Sequence, residues 1–134
     1  DEARATIAYL DIHSVLFYDD ALMASLAAAR LPIILGTGGR TLDEVKAKQA
    51  FFGELLQVLM LGFQAYPTRL EDVRLGRLPE LARLFPGLSL GYADHSAFAD
   101  ADAVESNDWA YVLGARIFEK HLTLEEGTSR LDSE

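Results

Sequence analysis

The feature that most constrains the fold of this chain is an alternation of short apolar runs with helix-forming segments. The five runs that are short and apolar enough to form buried strands are residues 13–18, 32–35, 55–63, 88–92 and 116–122. The helix-forming segments between them are residues 20–30, 41–52, 78–85 and 100–113. Strands that alternate with helices and are apolar on both faces predict a parallel sheet covered by helices.

Local signals at the ends of these segments support the alternation. Thr41 is followed three residues later by Glu44, the pattern of a capping box at a helix start. The glycine-rich residues 36–39 predict a turn, and Pro86-Gly87 predicts a helix end. A doubly wound sheet and a β/α barrel both fit this pattern, and periodicity alone does not separate them. A complete barrel takes about 250 residues, so this chain of 134 residues would cover about half to two-thirds of one.

Composition excludes several classes of function. The chain has no cysteine, which rules out disulfides, thiolate zinc sites and a cysteine nucleophile. Its formal net charge of -9 would repel nucleic acid and anionic membranes, so we expect neither as a partner. No apolar run is long enough to span a bilayer, and no basic-then-apolar leader opens the chain. We therefore expect a cytoplasmic protein.

Polar residues gather where the predicted strands end. In parallel α/β folds the functional groups collect at the carboxyl ends of strands. Reading only those ends gives four short segments, at residues 36–39, 64–67, 93–96 and 119–121. Two of the three histidines, His95 and His121, fall in these segments, each beside a carboxylate. The third, His13, opens a predicted strand, and we interpret it as structural.

Side-chain alternation predicts that the two histidines can share a metal ion. Glu119 and His121 lie on one face of the last strand, and Ala93 and His95 share a face of the strand before it. Neighbouring strands are about 4.8 Å apart, so inward-pointing histidines would come within reach of one ion, with Glu119 completing or orienting the site. The alternative is that both histidines are hydrogen-bonded wall residues.

Two other segments allow two interpretations each. The turn Gly36-Thr37-Gly38-Gly39 has backbone amides that could bind an anion such as phosphate. The same glycines could simply form a good turn between a strand and a helix. Tyr66-Pro67 could contact a substrate, or it could merely close a strand.

Four motifs, read in order, resemble those of the sialic acid synthase family. The chain has LPIILGTGG at 31–39, where family members look like KPIILSTGM, and QAYPTRLEDV at 64–73, where they look like NxYPTPxEDV. It has GYADHS at 91–96 for GxSDHT, and FEKHLT at 118–123 for (I/L)E(K/R)HFT. Each motif alone is weak, but four at compatible spacings cover most of the chain.

The resemblance implies a (β/α)8 barrel of the TIM type, of which this chain looks like the fourth to eighth strands. It implies condensation of phosphoenolpyruvate with an N-acetylated aldose to give a nonulosonic acid, a step in surface polysaccharide biosynthesis. The metal, Mn²⁺ or Mg²⁺, would bind His95 and His121, with Glu119 and Tyr66 in the active site. The remaining substrate-binding candidates lie in the same motifs and are Gly36, Thr37, Gly38, Gln64, Tyr66 and Asp94.

The chain also departs from the family pattern. The family holds the phosphate with a lysine and a serine in a segment like YKIGSGE, and the compared segment here is SVLFYDD, where Leu16 is the nearest counterpart of the lysine. Three further polar positions of the family are Gly36, Gln64 and Ala93 here. The phosphate-facing groups are thus replaced together, whereas the metal-facing groups stay.

These departures leave two alternatives to a synthase. One is a related barrel that keeps the metal but binds a different anion or acceptor, and the other is a non-catalytic domain. The family's first three strands and its C-terminal antifreeze-like domain have no counterpart in the 134 residues. An open half-barrel would leave two exposed strand edges, so we expect a homo-oligomer or part of a longer chain.

Overall fold

The computed structural model describes residues 6–62, 65–97, 99–101 and 103–121. Within them, five strands alternate with helices. The strands are β1 (Leu10–Ile12), β2 (Ile33–Gly36), β3 (Leu56–Leu61), β4 (Ser89–Asp94) and β5 (Ile117–Lys120). The helices are α1 (Asp20–Ala29), α2 (Leu42–Phe52), α3 (Leu70–Val73), α4 (Arg77–Leu84) and α5 (Ala103–Val112), and single 3₁₀ turns cover Ser14–Leu16 and Gly53–Leu55.

The five strands form one parallel sheet in the order in which they occur along the chain. Leu10 of β1 lies opposite Ile33, and Tyr92 of β4 lies opposite Phe118 of β5. The predicted parallel arrangement is therefore confirmed. In the described part of the chain, no helix is long and apolar enough to cross a membrane.

The sheet is curled into a half-barrel. Four strand spacings of about 4.8 Å would put β1 and β5 roughly 19 Å apart in a flat sheet. Ligand atoms of Asp11 on β1 and Glu119 on β5 nevertheless lie within 4.8 Å of each other. The two outermost strands therefore point these side chains at one place, the interior of the curve.

Alternation along each strand separates a core face from an interior face. The outward side chains of the middle strands are fully buried against the helices, among them Leu35, Leu59 and Tyr92, which pack with Val45, Leu81 and Phe85. Near the strand ends, the inward positions surround a narrow hollow lined by Asp11, His13, Gly36, Met60, Gly62, Ala93 and Glu119. Apolar packing thus holds the sheet from outside, and the interior is left for other chemistry.

The prediction for the first strand was wrong. Residues 13–18 do not form a strand, because β1 ends at Ile12 and a 3₁₀ turn follows at Ser14–Leu16. The β-branched and aromatic composition of this run is typical of a strand, but its side chains do not share one environment. Phe17 is 1% exposed in the core, whereas Val15 is 65% exposed and Tyr18 is 61% exposed.

The other strands and helices lie within a few residues of their predicted positions, and the short helix α3 was not predicted. The capping box at the start of α2 is confirmed, since Thr41 and Glu44 exchange both hydrogen bonds. The Tyr18 hydroxyl also donates to the Glu44 carboxylate. This bond, together with those from Thr41, lowers the pKa of Glu44 to about 2. The acceptor end of the box is therefore ionised over the ordinary pH range.

Candidate metal centre at the strand ends

The structure brings His95 and His121 together. Each histidine directly follows its strand, β4 or β5, so the parallel pairing sets them side by side. Their ring centroids are 5.3 Å apart and the ring planes are nearly perpendicular, at 83°. One ligand atom from each of His95, Glu119 and His121 lies within 4.8 Å of the others. We call these three residues the histidine group.

His95 has the chemical state that a metal ligand needs. Its side chain is buried, with the residue only 8% exposed, and its Nδ1 atom has no hydrogen-bond partner among the described residues. Burial lowers the pKa of His95, and the neighbouring His121 lowers it further. A neutral imidazole with an unpaired buried nitrogen is costly unless that nitrogen binds something. The histidine group therefore fits a divalent cation.

Tyr66 lies against the histidine group from the loop that follows β3. Its ring stacks on His121, with the centroids 6.1 Å apart and 14° between the planes. The loop is tied to the histidine group from the other side, because the backbone N–H of Thr68 donates to the carbonyl oxygen of His95 at 2.7 Å. Gln64, the other predicted substrate contact of this segment, lies outside the described residues.

Asp94 supports the centre from the outer face of the sheet. Its side chain is fully buried and forms a 2.7 Å ion pair with Lys120 of β5. It also accepts hydrogen bonds from the Ser96 backbone N–H at 2.9 Å, from the Ser96 hydroxyl and from Asn107 of α5 at 2.7 Å. Burial alone would raise the pKa of Asp94, but these hydrogen bonds outweigh it and lower the pKa.

The bonds of Asp94 clamp the strand end on which His95 sits. With its oxygens committed to protein partners, the carboxylate holds β4, β5 and α5 in register. Direct contact between Asp94 and a substrate stays a prediction.

The glycine turn after β2 is packed against the protein. Both donors of Thr37, its backbone N–H and its hydroxyl, bond to the carbonyl oxygen of Met60, at 2.8 Å and 3.0 Å. A Cβ atom on Gly38 would lie 1.9 Å from the carbonyl oxygen of Gly62, and one on Gly36 would lie 2.7 Å from the Ser14 nitrogen. Gly36 and Gly38 are thus required by close backbone approach. Anion binding by this turn stays a prediction, and it would fall to backbone amides.

Positive charge near this turn lies on its helix side. Arg40, Arg74 and Arg77 line a separate hollow together with Gly38 and Gly39. Two of these arginines also brace the backbone, because Arg40 donates to the Ser14 carbonyl and Arg77 donates to the Arg40 carbonyl, each at 3.0 Å. None of the residues that line this hollow belongs to the histidine group.

Sequence reasoning missed two residues at the end of β1. Asp11, His13 and Glu119 each offer a ligand atom within 4.8 Å of the other two. Burial raises the pKa of Asp11, and the charge of Glu119 raises it further. His13 was interpreted as a structural residue at the start of a strand, but it follows the strand and faces the interior hollow. The alternation Leu10-Asp11-Ile12-His13 was a possible signal, yet three residues are short for a strand to be recognised.

A profile of the NeuB family matches residues 3–134. The chain belongs to the NeuB family. It is 30% identical over 114 residues to the N-acetylneuraminate-9-phosphate synthase of Drosophila melanogaster, a match that covers 83% of this chain and 29% of the relative. It is 30% identical over 118 residues to the pseudaminic acid synthase of Campylobacter jejuni, covering 86% of this chain and 33% of that protein.

A solved structure supports the same relationship. The N-acetylneuraminic acid synthetase of Leptospira borgpetersenii superposes with a TM-score of 0.85 at 25% identity, over 98% of this chain and 45% of that chain. The chain spans about a third of the length of the curated NeuB relatives it matches. The half-barrel is therefore a family structure that accounts for part of each relative.

The position of β1 also corrects the comparison with the NeuB family pattern. Leu16 is not the counterpart of the family lysine, because it lies in the 3₁₀ turn beyond the strand and is 42% exposed. With β1 at Leu10–Ile12, the segment to compare with YKIGSGE begins at Leu10, so Ile12 matches the isoleucine and Ser14 matches the serine. Asp11 then stands where the lysine is expected. In this comparison a negative side chain in the interior takes the position that a lysine has in the family pattern.

Proposed function

We propose that this chain supplies the metal-binding half of a sialic acid synthase-type barrel. The reaction is condensation of phosphoenolpyruvate with an N-acetylated aldose to a nonulosonic acid, used for surface polysaccharide. The observation that carries the proposal is the histidine group in a NeuB-family chain, with the buried Nδ1 of His95 lacking a partner among the described residues. The family relationship supports the reaction class, and the group supports the metal dependence.

The residues of the histidine group would hold Mn²⁺ or Mg²⁺ through two imidazoles and one carboxylate. A divalent cation held there would supply Lewis-acid polarisation of the sugar aldehyde. In the proposed reaction the enol carbon of phosphoenolpyruvate forms the new carbon–carbon bond to the aldehyde carbon. Three protein ligands leave open positions for substrate or water. Inorganic phosphate leaves after water adds to the phosphate-bearing carbon.

The surrounding residues position this group. Tyr66 stacks on one face of His121, which restricts the orientation of that ring. The bond from Thr68 and the clamp at Asp94 fix the backbone on both sides of His95. Preorganised ligands of this kind need no rearrangement when substrate binds.

One observation favours a second candidate, a NeuB-family barrel that keeps the metal but binds a different anion or acceptor. Asp11 and Glu119 face each other in the interior, where the family pattern has a lysine beside the phosphate. Two carboxylates would repel phosphoenolpyruvate unless a cation lies between them. Binding of phosphoenolpyruvate at micromolar concentration would contradict this candidate.

Phosphate release tests the proposal. The full-length protein is mixed with phosphoenolpyruvate, Mn²⁺ and each of several N-acetylhexosamines, and inorganic phosphate is measured. We expect sugar-dependent release that falls by more than about 100-fold in His95→Gln and His121→Gln, since even outer-shell partners of metal ligands are worth 10–100-fold. Asp108→Asn, on the exposed face of α5, is the control and should keep full activity. No release with any acceptor would contradict the proposal.

A further inference from the structure

The interior of the half-barrel holds a second group of metal-ligating side chains next to the histidine group. Asp11 and His13 come from the end of β1, and Glu119 comes from β5 on the other side of the curve. One ligand atom from each lies within 4.8 Å of the others. We call these three residues the aspartate group. Asp11 and His13 are close along the chain, and Glu119 is brought to them by the curl of the sheet.

The donors of the aspartate group suit a divalent cation. Two carboxylates and one imidazole are oxygen and nitrogen ligands of the kind that Mn²⁺, Fe²⁺ and Mg²⁺ accept. The other described residues that line the hollow around the group are Gly36, Met60, Gly62 and Ala93, and none of these is a lysine or an arginine. Two carboxylates that face each other without a cationic side chain repel each other, and a bound cation relieves that repulsion.

Glu119 belongs to both groups. Its carboxylate has two oxygens, so one can meet the aspartate group while the other meets the histidine group. Carboxylate-bridged pairs of this kind are a recurring form of two-metal site.

We propose that Asp11, His13 and Glu119 form a second divalent-cation site, which shares Glu119 with the histidine group. The role of this second cation rests on the proposed function: it supplies the positive charge that a lysine supplies in the family pattern. It neutralises the phosphate or carboxylate of an anionic substrate at the place where Asp11 has reversed the charge. The site itself is independent of which reaction the protein catalyses.

Metal stoichiometry tests the second site without any activity assay. Mn²⁺ binding to the metal-free full-length protein is followed by calorimetry and by electron paramagnetic resonance. We expect two ions per chain in the wild type, with a spectrum broadened by coupling between the two manganese ions. Asp11→Asn and His13→Gln should each weaken one of the two binding events by about 100-fold and restore an uncoupled six-line spectrum.

Two further variants separate the sites. His121→Gln should weaken the other binding event and leave the aspartate group able to bind one ion, whereas the control Asp108→Asn should bind two. Asp11→Asn and His13→Gln both nearly preserve side-chain volume. Circular dichroism shows whether each variant folds. If one of them does not fold, the metal stoichiometry of the other tests the second site. If the wild type binds one ion and both Asp11→Asn and His13→Gln still bind it, the second site is overturned and the proposed function stands. If the wild type binds one ion that is lost in Asp11→Asn and in His13→Gln but retained in His121→Gln, the aspartate group is established as a cation site and the result counts against the histidine group.

Discussion

The ends of β4 and β5 differ from the end of β2 in what the chain does after each strand. After β4 and β5, side chains carry the chemistry, because His95 and His121 follow their strands and face each other at 5.3 Å. After β2, the backbone is packed so tightly that Gly38 cannot accept a Cβ atom, and both donors of Thr37 bond to the protein. The ends of β4 and β5 are thus arranged to bind a ligand with side chains, whereas the turn after β2 is packed against the protein.

This difference teaches that retention of a motif does not have one meaning. The histidine motifs are retained together with their geometry, and the buried His95 nitrogen still lacks a partner among the described residues. Close backbone contacts require Gly36 and Gly38 in the GTGG turn whether or not the turn also binds an anion. At the acidic end of β1, the positive charge for an anionic substrate would come from the cation that we propose there.

The largest expected loss of stability is in the packed turn after β2. Gly38→Ala would place a Cβ atom 1.9 Å from the Gly62 carbonyl oxygen, so the backbone must move. We expect a loss of about 3 kcal/mol in the free energy of unfolding, at the upper end of overpacking costs. Gly39→Ala is the matched control, with nothing within 4 Å but a φ of +69°, and should lose about 1 kcal/mol. Urea denaturation measures both, and equal losses would show that the turn is not packed as described.

The next largest expected loss of stability is at the ion pair between Asp94 and Lys120, next to the histidine group. Lys120→Met leaves the fully buried Asp94 without its charge partner. We expect a loss of about 2–3 kcal/mol, somewhat below the usual cost of breaking a buried pair because Lys120 is partly exposed. Lys46→Met, which breaks the exposed pair with Asp43, should cost less than about 1 kcal/mol. A loss for Lys120→Met no larger than that of Lys46→Met would mean that the clamp does not hold the strand ends.

The same clamp predicts a pH dependence. The pKa of Asp94 is lowered in the folded protein, so its contribution to stability is present above the ordinary value of 3.8 and is lost as the pH falls through the lower, folded-state pKa. The free energy of unfolding should therefore decline below pH 3.8 in the wild type. The decline should be shallower in Asp94→Asn. If urea denaturation shows the same decline in the free energy of unfolding below pH 3.8 for both proteins, Asp94 is not the source of the pH dependence.

A smaller effect concerns the ring on His121. Tyr66→Ala removes the stacked partner, and stacked aromatic pairs contribute about 0.5–1.5 kcal/mol. Mn²⁺ affinity should fall by up to about tenfold, since 1.4 kcal/mol is a factor of ten. Tyr66→Phe keeps the ring and should bind Mn²⁺ like the wild type. If the two variants lose the same affinity, the hydroxyl rather than the stacking acts on the centre.

The smallest effect is at the helix that follows the glycine turn. Thr41→Ala removes one half of the capping box and should lower the free energy of unfolding by about 1 kcal/mol. Thr41→Ser keeps the hydroxyl that bonds to Glu44 and should be nearly neutral. A neutral Thr41→Ala variant would indicate that the Tyr18 hydroxyl alone holds Glu44 in place.

The sequence predicted the site residues after β4 and β5 but not those at the end of β1, because the ends of β4 and β5 were predicted more accurately. For β4 and β5 the predicted strands lie within two residues of the observed ones, so side-chain alternation placed Glu119 and His121 on the correct face. For β1 the prediction began at His13, one residue after the strand ends. This error made Leu16 the counterpart of the family lysine and concealed Asp11. A three-residue strand leaves too little alternation to be recognised.

Curvature of the sheet was the other feature that local patterns could not predict. Asp11 and Glu119 are 108 residues apart in the chain, and only the curl of all five strands brings them together. Alternation assigns each side chain to a face of the sheet, but it does not determine how far that face bends. The histidine group could be predicted from neighbouring strands, whereas the aspartate group required the structure.

Pulsed electron paramagnetic resonance of bound Mn²⁺ tests the central claim, that His95 and His121 hold one metal ion. The measurement uses a His13→Gln background, so that the third histidine of the chain cannot contribute. We predict modulation from directly bound imidazole nitrogen, which should weaken when His121→Gln is added and disappear when His95→Gln is added as well. Modulation that is absent from the folded, Mn²⁺-loaded protein, or that survives both substitutions, would contradict the account.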